Sequence, residues 1–247
     1  AWTLPRSSFS TSYEGRYRPR PVSSIDTEDI VALPLVVTTR NGSVTAIAEA
    51  DLTDYAGMYL GGTETTRALQ TRLSRRPERS KPSVDLTLPF QSPWRVLMVE
   101  LEAEDLITSP LITALNEPPE GDTSWIEPGL AAWHWWSGSI VGNKPKRMST
   151  DMLRHYVDFA AEYGFRYALV DVGWYGPTQG AEADVTTPIA AVNIEELVRY
   201  ASARDVGILL WAHWRPLRRQ LEAALDRFKS WGVKGIKVDF MSRDDPE

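Results

Sequence analysis

The sequence predicts a two-part chain. An antiparallel β-sandwich fills residues 1–125, and the first four βα units of a (β/α)8 barrel fill residues 126–247. Three observations carry this reading. Up to about residue 125 the apolar runs are short, β-rich and separated by Pro and Gly. Past residue 130 helical and strand-like periods alternate at steps of roughly 28 to 40 residues, the signature of right-handed βαβ units and a parallel sheet. Polar and aromatic residues then gather at or just past the strand ends, at His134 to Trp136, Asp171 to Tyr175, His213 to Trp214 and Asp239. In a (β/α)8 barrel that end is the active face. A doubly wound sheet competes, but no Gly-x-Gly-x-x-Gly follows any strand, so nucleotide binding loses its main support.

Taken in order, residues 1–20 show no clear periodicity, and the first strands of the sandwich are expected to be missing. Ile30 to Thr39 reads as a strand pair or a strand bent at Pro34, followed by an Asn41-Gly42 hairpin turn and a returning strand over Ser43 to Glu49. Val84 to Leu88 and Trp94 to Leu101 are two further strands. Before them, Thr63 to Pro82 holds six Arg or Lys residues and reads as a solvated connection.

In the second part, Ala131 to Trp136 is a short Trp-rich strand. A helix starts at Ser149 or Thr150, repeats Met152, Tyr156, Phe159, Ala160 and Tyr163 at helical spacing, and stops at Gly164. Tyr167 to Val172 is a strand with Asp171 near its end. Asn193, with Glu196 three places on, caps a helix whose stripe is Ile194, Leu197, Val198 and Ala201. Gly207 to Ala212 is the next strand, and Leu217, Leu221, Ala224, Leu225 and Phe228 mark the helix after it. Trp231 and Gly232 close that helix, and Gly235 to Phe240 is the fourth strand. Four units leave a barrel half closed, so the chain is expected to be a piece of a longer protein.

Composition excludes several classes. There are 27 basic and 33 acidic residues, a net charge of −6, and no long basic block, which argues against a nucleic-acid surface. No apolar run is long enough to span a membrane, and no signal peptide is visible. With no Cys, disulfides and thiolate chemistry are absent, and three His residues supply a zinc site or a Ser–His triad only thinly. The ten Trp residues suit stacking on sugar rings, although Trp is first a core residue.

The sharpest chemical signal is Lys237-Val238-Asp239. Strand side chains alternate, so Lys237 and Asp239 share one face and Ile236, Val238 and Phe240 take the other. If helices cover that second face, both charges point inward with Asp239 at the rim. A fixed, ionised carboxylate there suits a glycosidase nucleophile. The same pair also reads as an ordinary brace between strand and loop.

The sequence resembles glycoside hydrolase family 97 over most of its length, from about Tyr13 onward. The resemblance rests on Ala48-Glu-Ala-Asp-Leu-Thr-Asp-Tyr-Ala-Gly-Met-Tyr-Leu60, Ser92-Pro-Trp-Arg-Val96, Leu115-Asn-Glu-Pro118 and Asp122-Thr-Ser-Trp-Ile126. It continues in Pro128-Gly-Leu-Ala-Ala-Trp-His-Trp-Trp136, Leu169-Val-Asp-Val-Gly-Trp-Tyr175 and Gly235-Ile-Lys-Val-Asp-Phe-Met241. It implies a calcium-dependent α-glycosidase with an N-terminal sandwich and a catalytic barrel, acting on α-galactosides or oligosaccharides. An Asp on the fourth strand implies the retaining, α-galactosidase-like group, with Asp239 as nucleophile. In an inverting, α-glucosidase-like member that strand carries none. The family's proton donor is a Glu of the later barrel that no residue here matches, so the chain alone is expected to be inactive.

Glu49 matches the position that would supply calcium from the N-terminal part; Asp51 and Asp54 read as turn formers. Asp171 would accept sugar hydroxyls, Trp174 would stack on the ring, Lys237 would partner Asp239, and His213 would hydrogen-bond substrate. Of Trp133, Trp135 and Trp136, at least two are expected in the core. Family habit implies a periplasmic or secreted location. The chain departs from the family pattern at His134, where Asp is common, at Ala56, where Pro is common, and at Ser242, where an acid is more usual. Two competing functions stand beside the hydrolase: a non-catalytic carbohydrate-binding or scaffold piece, and a barrel enzyme holding a metal with Asp171 and Asp239.

Overall fold

A computed structural model describes residues 1–3, 5–6, 16–65, 68–76 and 82–241. Tyr13 and Ser242 lie outside the described residues. The chain forms two compact units, residues 1–121 and 122–241.

The first unit is antiparallel. One sheet has the order β3-β1-β5-β6-β9, with β1 at Trp2–Thr3, β3 at Arg18–Pro19, β5 at Leu35–Thr38, β6 at Val44–Ala50 and β9 at Trp94–Glu100. The other has the order β2-β4-β7-β8, with β2 at Pro5–Arg6, β4 at Ile30–Val31, β7 at Met58–Gly62 and β8 at Leu69–Leu73. Pro34 sits between β4 and β5, which belong to different sheets. Proline cannot donate to a ladder, so the chain changes sheets there. The β5–β6 hairpin turns where Asn41-Gly42 predicts: Gly42 has a φ of +93°, and Asn41 Oδ1 accepts the Ser43 hydroxyl at 2.9 Å. Along β6, Ala46, Ala48 and Ala50 pack with Val96 and Met98 under α1 (Asp105–Thr108) and α2 (Leu111–Ala114). Ile47 points the other way, into a cluster with Leu35 from its own sheet and Val31 and Leu60 from the other.

Residues 1–20 contribute β1, β2 and β3, each two residues long and too short to show a period. Other expectations for this unit fail. The connection expected at Thr63 to Pro82 contains β8, whose pattern hides because the strand is half-exposed. Val84 to Leu88 pairs with nothing among the described residues, because Pro82 and Pro89 bracket it. β7 escaped notice because all five residues are buried and none alternates. At Gly62 an added Cβ would lie 2.0 Å from the Ile25 carbonyl oxygen, so this strand packs only because a glycine stands there.

The second unit holds a parallel four-stranded sheet, in order β10 (Ala131–Trp133), β13 (Tyr167–Val170), β14 (Gly207–His213) and β15 (Gly235–Asp239). A small ribbon, β11 (Ile140–Val141) with β12 (Lys144–Pro145), precedes α3 (Thr150–Glu162). Ser149 accepts the Met152 N–H and caps α3, while Asn193 accepts the Glu196 N–H at 3.0 Å and caps α4 (Ile194–Ser202). Ile194, Leu197, Val198 and Ala201 are all buried, as the spacing predicts. In α3 the buried stripe is Met152, Leu153, Val157 and Ala160; Phe159 and Tyr163 stack on one another, both exposed.

The predicted third helix is two helices, α5 (Trp214–Arg219) and α6 (Leu221–Trp231). Gln220 breaks it because its side chain is drawn sideways, donating to Asp184 Oδ1 at 3.0 Å and accepting the Val185 N–H at 3.2 Å. Leu221 and Leu225 are exposed in consequence, and Ala224, Phe228 and Trp231 form the buried face. Gly232, at φ +82°, ends α6.

On the helix side of the sheet, Ala132, Ala168, Val170, Ile208, Leu210 and Ala212 share one core with Met152, Val157, Leu197 and Phe228. Each fully buried Val, Leu, Ile, Met or Phe among them contributes roughly 1.5–3 kcal/mol. The opposite face is left for other chemistry. Among the described residues no helix is long and apolar enough to cross a membrane.

Candidate active site

Parallel register fixes which side chains meet on that opposite face. Trp133 pairs with Leu169, Leu169 with Leu209, Trp211 with Lys237 and His213 with Asp239. Period two then puts Trp133, Asp171, Trp211, His213, Lys237 and Asp239 along one surface at the C-terminal strand ends. The alternation that pairs Lys237 with Asp239 on one face is present in the folded chain.

Lys237 is the centre of the cluster. Its Nζ donates to Asp171 Oδ2 at 3.0 Å, lies 3.2 Å from Asp239 Oδ2, and sits 4.3 Å from the centre of the Trp133 ring. Asp239 Oδ2 also accepts the Trp211 indole N–H at 2.9 Å, and Oδ1 accepts the Phe240 N–H at 2.7 Å. Burial pushes the Asp239 carboxyl up, but Trp211, the Phe240 amide and Lys237 together hold it below the usual carboxylate range. Its side chain keeps 33% of its exposure. The carboxylate is therefore ionised, fixed and open on one side, the state a nucleophile requires.

Asp171 is different. Its Oδ2 takes the Trp133 indole N–H at 2.7 Å as well as Lys237, its Oδ1 takes the Val172 N–H at 2.7 Å, and its side chain is 4% exposed. Instead of facing out toward sugar hydroxyls as the sequence predicts, this buried carboxylate spends Oδ2 on Lys237 and Trp133 and Oδ1 on a backbone amide. Trp174 is corrected too. It is 0% exposed, donates its indole N–H to the Trp211 carbonyl at 2.8 Å, and packs edge-on against Tyr175, Phe228 and Trp231. Buried on the helix side, it offers no face to a ring.

His213 lies in the last position of β14, not past it. Its Nδ1 accepts the Arg215 N–H at 3.2 Å, capping α5, and its ring stacks on Phe240. Burial and then Arg215 push its pKa down, with Asp239 opposing, so it is neutral. Trp135 and Trp136 are exposed and stack about Trp133, against the expectation that two of the three are core. Sequence reasoning overlooked Trp211, which stands two residues before His213 on the same face and donates directly to Asp239. The period-two rule applied to β14 would have found it.

Glu49 is committed elsewhere. Oε2 pairs with Arg95 at 2.7 Å and Oε1 accepts the Met58 N–H at 2.9 Å. Calcium takes six to eight oxygens, and among the described residues no group of three or more His, Asp or Glu could hold a metal. Glu49 offers at most its two carboxylate oxygens, and both are engaged. Asp51 and Asp54 sit in left-handed turn conformations, as expected of turn formers.

Residues 1–118 match the family model described as Glycosyl-hydrolase 97 N-terminal, and residues 135–247 that described as Glycoside hydrolase 97. A protein of Bacteroides thetaiotaomicron named "Retaining alpha-galactosidase" is 32% identical over 260 residues, covering 98% of this chain and 39% of the relative. A "Probable retaining alpha-galactosidase" of Streptomyces bingchenggensis is 37% identical over 259 residues, covering 98% of this chain and 38% of its own length. The chain thus spans less than two fifths of the length of these curated relatives. Among solved structures, a family 97 enzyme from Pseudoalteromonas sp. strain K8 in complex with acarbose superposes with a TM-score of 0.84 at 28% identity, over 97% of this chain and 38% of that one. A β-arabinopyranosidase at 21% identity, with a TM-score of 0.78, shares the fold over 99% of this chain and 41% of its own. On these matches, the chain belongs to glycoside hydrolase family 97.

Proposed function

We propose that this chain carries the nucleophile of a retaining α-glycosidase acting on terminal α-linked galactosides, and that its parallel strands belong to a (β/α)8 barrel. One observation supports the reading most: Asp239 is ionised, braced by Trp211, Lys237 and a backbone N–H, and open to solvent at a strand end. The names of the curated relatives support retention and the galactoside.

In this mechanism an Asp239 oxygen attacks the anomeric carbon while the bond to the leaving oxygen breaks, giving a β-linked glycosyl ester. Water later cleaves the ester and restores the α configuration. As the carboxylate charge passes into the ester, the Lys237 ammonium is left facing Asp171 alone, so Asp171 keeps it in place through the cycle. The leaving oxygen needs a proton from an acid about 5 Å from the nucleophile. Asp171 is too buried to reach it, and we assign that role to no residue of this chain.

Because fluoride departs without a proton, α-galactosyl fluoride tests the nucleophile separately from the acid. Incubation should add one hexosyl group to the peptide containing Asp239, read by mass spectrometry, and Asp239→Asn should abolish it. An unlabelled peptide, or a label on another residue, overturns the assignment.

A further inference from the structure

His134 is the more deeply buried imidazole of the site, 2% exposed against 6% for His213, and no step above uses it. Its Nε2 accepts the backbone N–H of Asp171 at 2.9 Å, across from β10 to the end of β13. Its Nδ1 lies 2.9 Å from Ser139 Oγ, and the Ser139 amide in turn donates to the His134 carbonyl at 2.8 Å. The Tyr156 ring of α3 packs edge-on against the imidazole at 5.9 Å.

A backbone N–H can only donate, so Nε2 must carry the lone pair and Nδ1 the proton, which it gives to Ser139. Protonation at Nε2 would set two donors against each other. Burial opposes that proton, and the Asp171 carboxylate favours it less strongly.

The bond falls on the residue that anchors Lys237. Asp171 takes its amide bond from His134 and gives its carboxylate to Trp133 and Lys237, and Lys237 reaches Asp239. We propose that His134 is a positioning residue for the nucleophile: through its Nε2 bond to the Asp171 amide it fixes Asp171, and thereby Lys237, against Asp239. The proposal rests on the reading of Asp239 as nucleophile, and it concerns an interaction outside the reacting atoms.

Two substitutions separate the two ring nitrogens. His134→Gln can place its carbonyl oxygen near the Nε2 position and keep the acceptor for Asp171. His134→Asn is shorter; it keeps a partner for Ser139 but withdraws that acceptor. Carboxyl 13C NMR titration of Asp239 reads the result. The Gln variant should keep the midpoint of the unsubstituted protein, and the Asn variant should move it upward. Labelling by α-galactosyl fluoride should follow, slowed about 10- to 100-fold in the Asn variant with its half-saturating concentration unchanged, and nearly normal in the Gln variant.

Identical behaviour of the two variants overturns the proposal. In the unsubstituted protein, 15N NMR must show a neutral His134 protonated on Nδ1, and a proton on Nε2 overturns it without any variant. Should no label form even in the unsubstituted protein, the nucleophile assignment fails, while the titration and tautomer still decide the role of His134.

Discussion

Replacing Lys237 by Met is the most direct test of how the site is held. Methionine keeps an unbranched stem and removes the charge that lies 3.0 Å from Asp171 and 3.2 Å from Asp239. The two carboxylates should respond differently. Breaking a buried pair costs about 3–5 kcal/mol and an exposed one about 0–1 kcal/mol. Here Asp171 is buried, the ammonium is one-third exposed, and two N–H donors remain on Asp171. An intermediate loss of about 2 kcal/mol follows. For Asp239, two charges about 4 Å apart interact by roughly 4 kcal/mol at a near-surface dielectric and about 1 kcal/mol in water. With a third of each side chain in solvent, about 1–2 kcal/mol remains, a rise in its titration midpoint on the order of one pH unit.

Urea unfolding and carboxyl 13C titration measure the two effects. The stability loss should be full near neutral pH and shrink in acid, where carboxylates lose their charge. An Asp239 midpoint that stays where it was, or a loss as large in acid as at neutrality, would refute the electrostatic account and leave Lys237 a packing residue.

Other consequences are as direct. Trp174→Ala should lower stability by about 3–5 kcal/mol in urea titrations, as a core truncation does; lost sugar binding on an unchanged stability would restore it to the site. Because burial depresses the pKa of both His134 and His213 below their ordinary 6.5, the folded state binds fewer protons than the unfolded chain. Stability should therefore fall as pH drops through 6.5 toward the folded values; for Asp239, also depressed, a further loss comes below 3.8. Flat unfolding midpoints across the first window would contradict the buried, neutral imidazoles. Since Glu49 is spent on Arg95 and the Met58 amide, adding about millimolar calcium, or a chelator, should leave the melting temperature of this chain in place. A calcium-dependent rise abolished by Glu49→Gln would show that the ion displaces Arg95.

Where local rules and tertiary demands agreed, the elements could be read beforehand. Asn193 with Glu196, Asn41 with Gly42, and Gly232 after α6 each satisfy a backbone need from within a few residues, so spacing alone located them. The misses share a different cause. Gln220 breaks a good helical stripe because Asp184 and the Val185 amide, some 35 residues away in the chain, claim its side chain. β7 has no alternation because both its faces are covered. At the site, Lys237 and Asp239 were legible from two-residue spacing on one strand. The inward turn of Asp171 was not, since it depends on Trp133 and Lys237 from two other strands. Trp174 misled for the same reason: its position after a strand end suggested a rim, but its indole found the Trp211 carbonyl beneath.

The division of the parallel sheet explains why a charged cluster survives so near the core. Its helix side holds the apolar packing that stabilises the unit, from Ala132 through Ala212, and none of the charged residues of the site belongs to that cluster. On the other side each charge has compensation built from the sheet itself. Trp133 and Trp211 donate indole N–H groups to Asp171 and Asp239, two backbone amides cap the remaining oxygens, and Lys237 neutralises between them. A carboxylate so supplied needs little water to stay ionised. The same logic explains the contrast with Asp171. Two carboxylates share one ammonium, and each also takes one indole and one backbone N–H; they differ in exposure, 4% for the Asp171 side chain against 33% for Asp239, so only Asp239 keeps a side open to solvent.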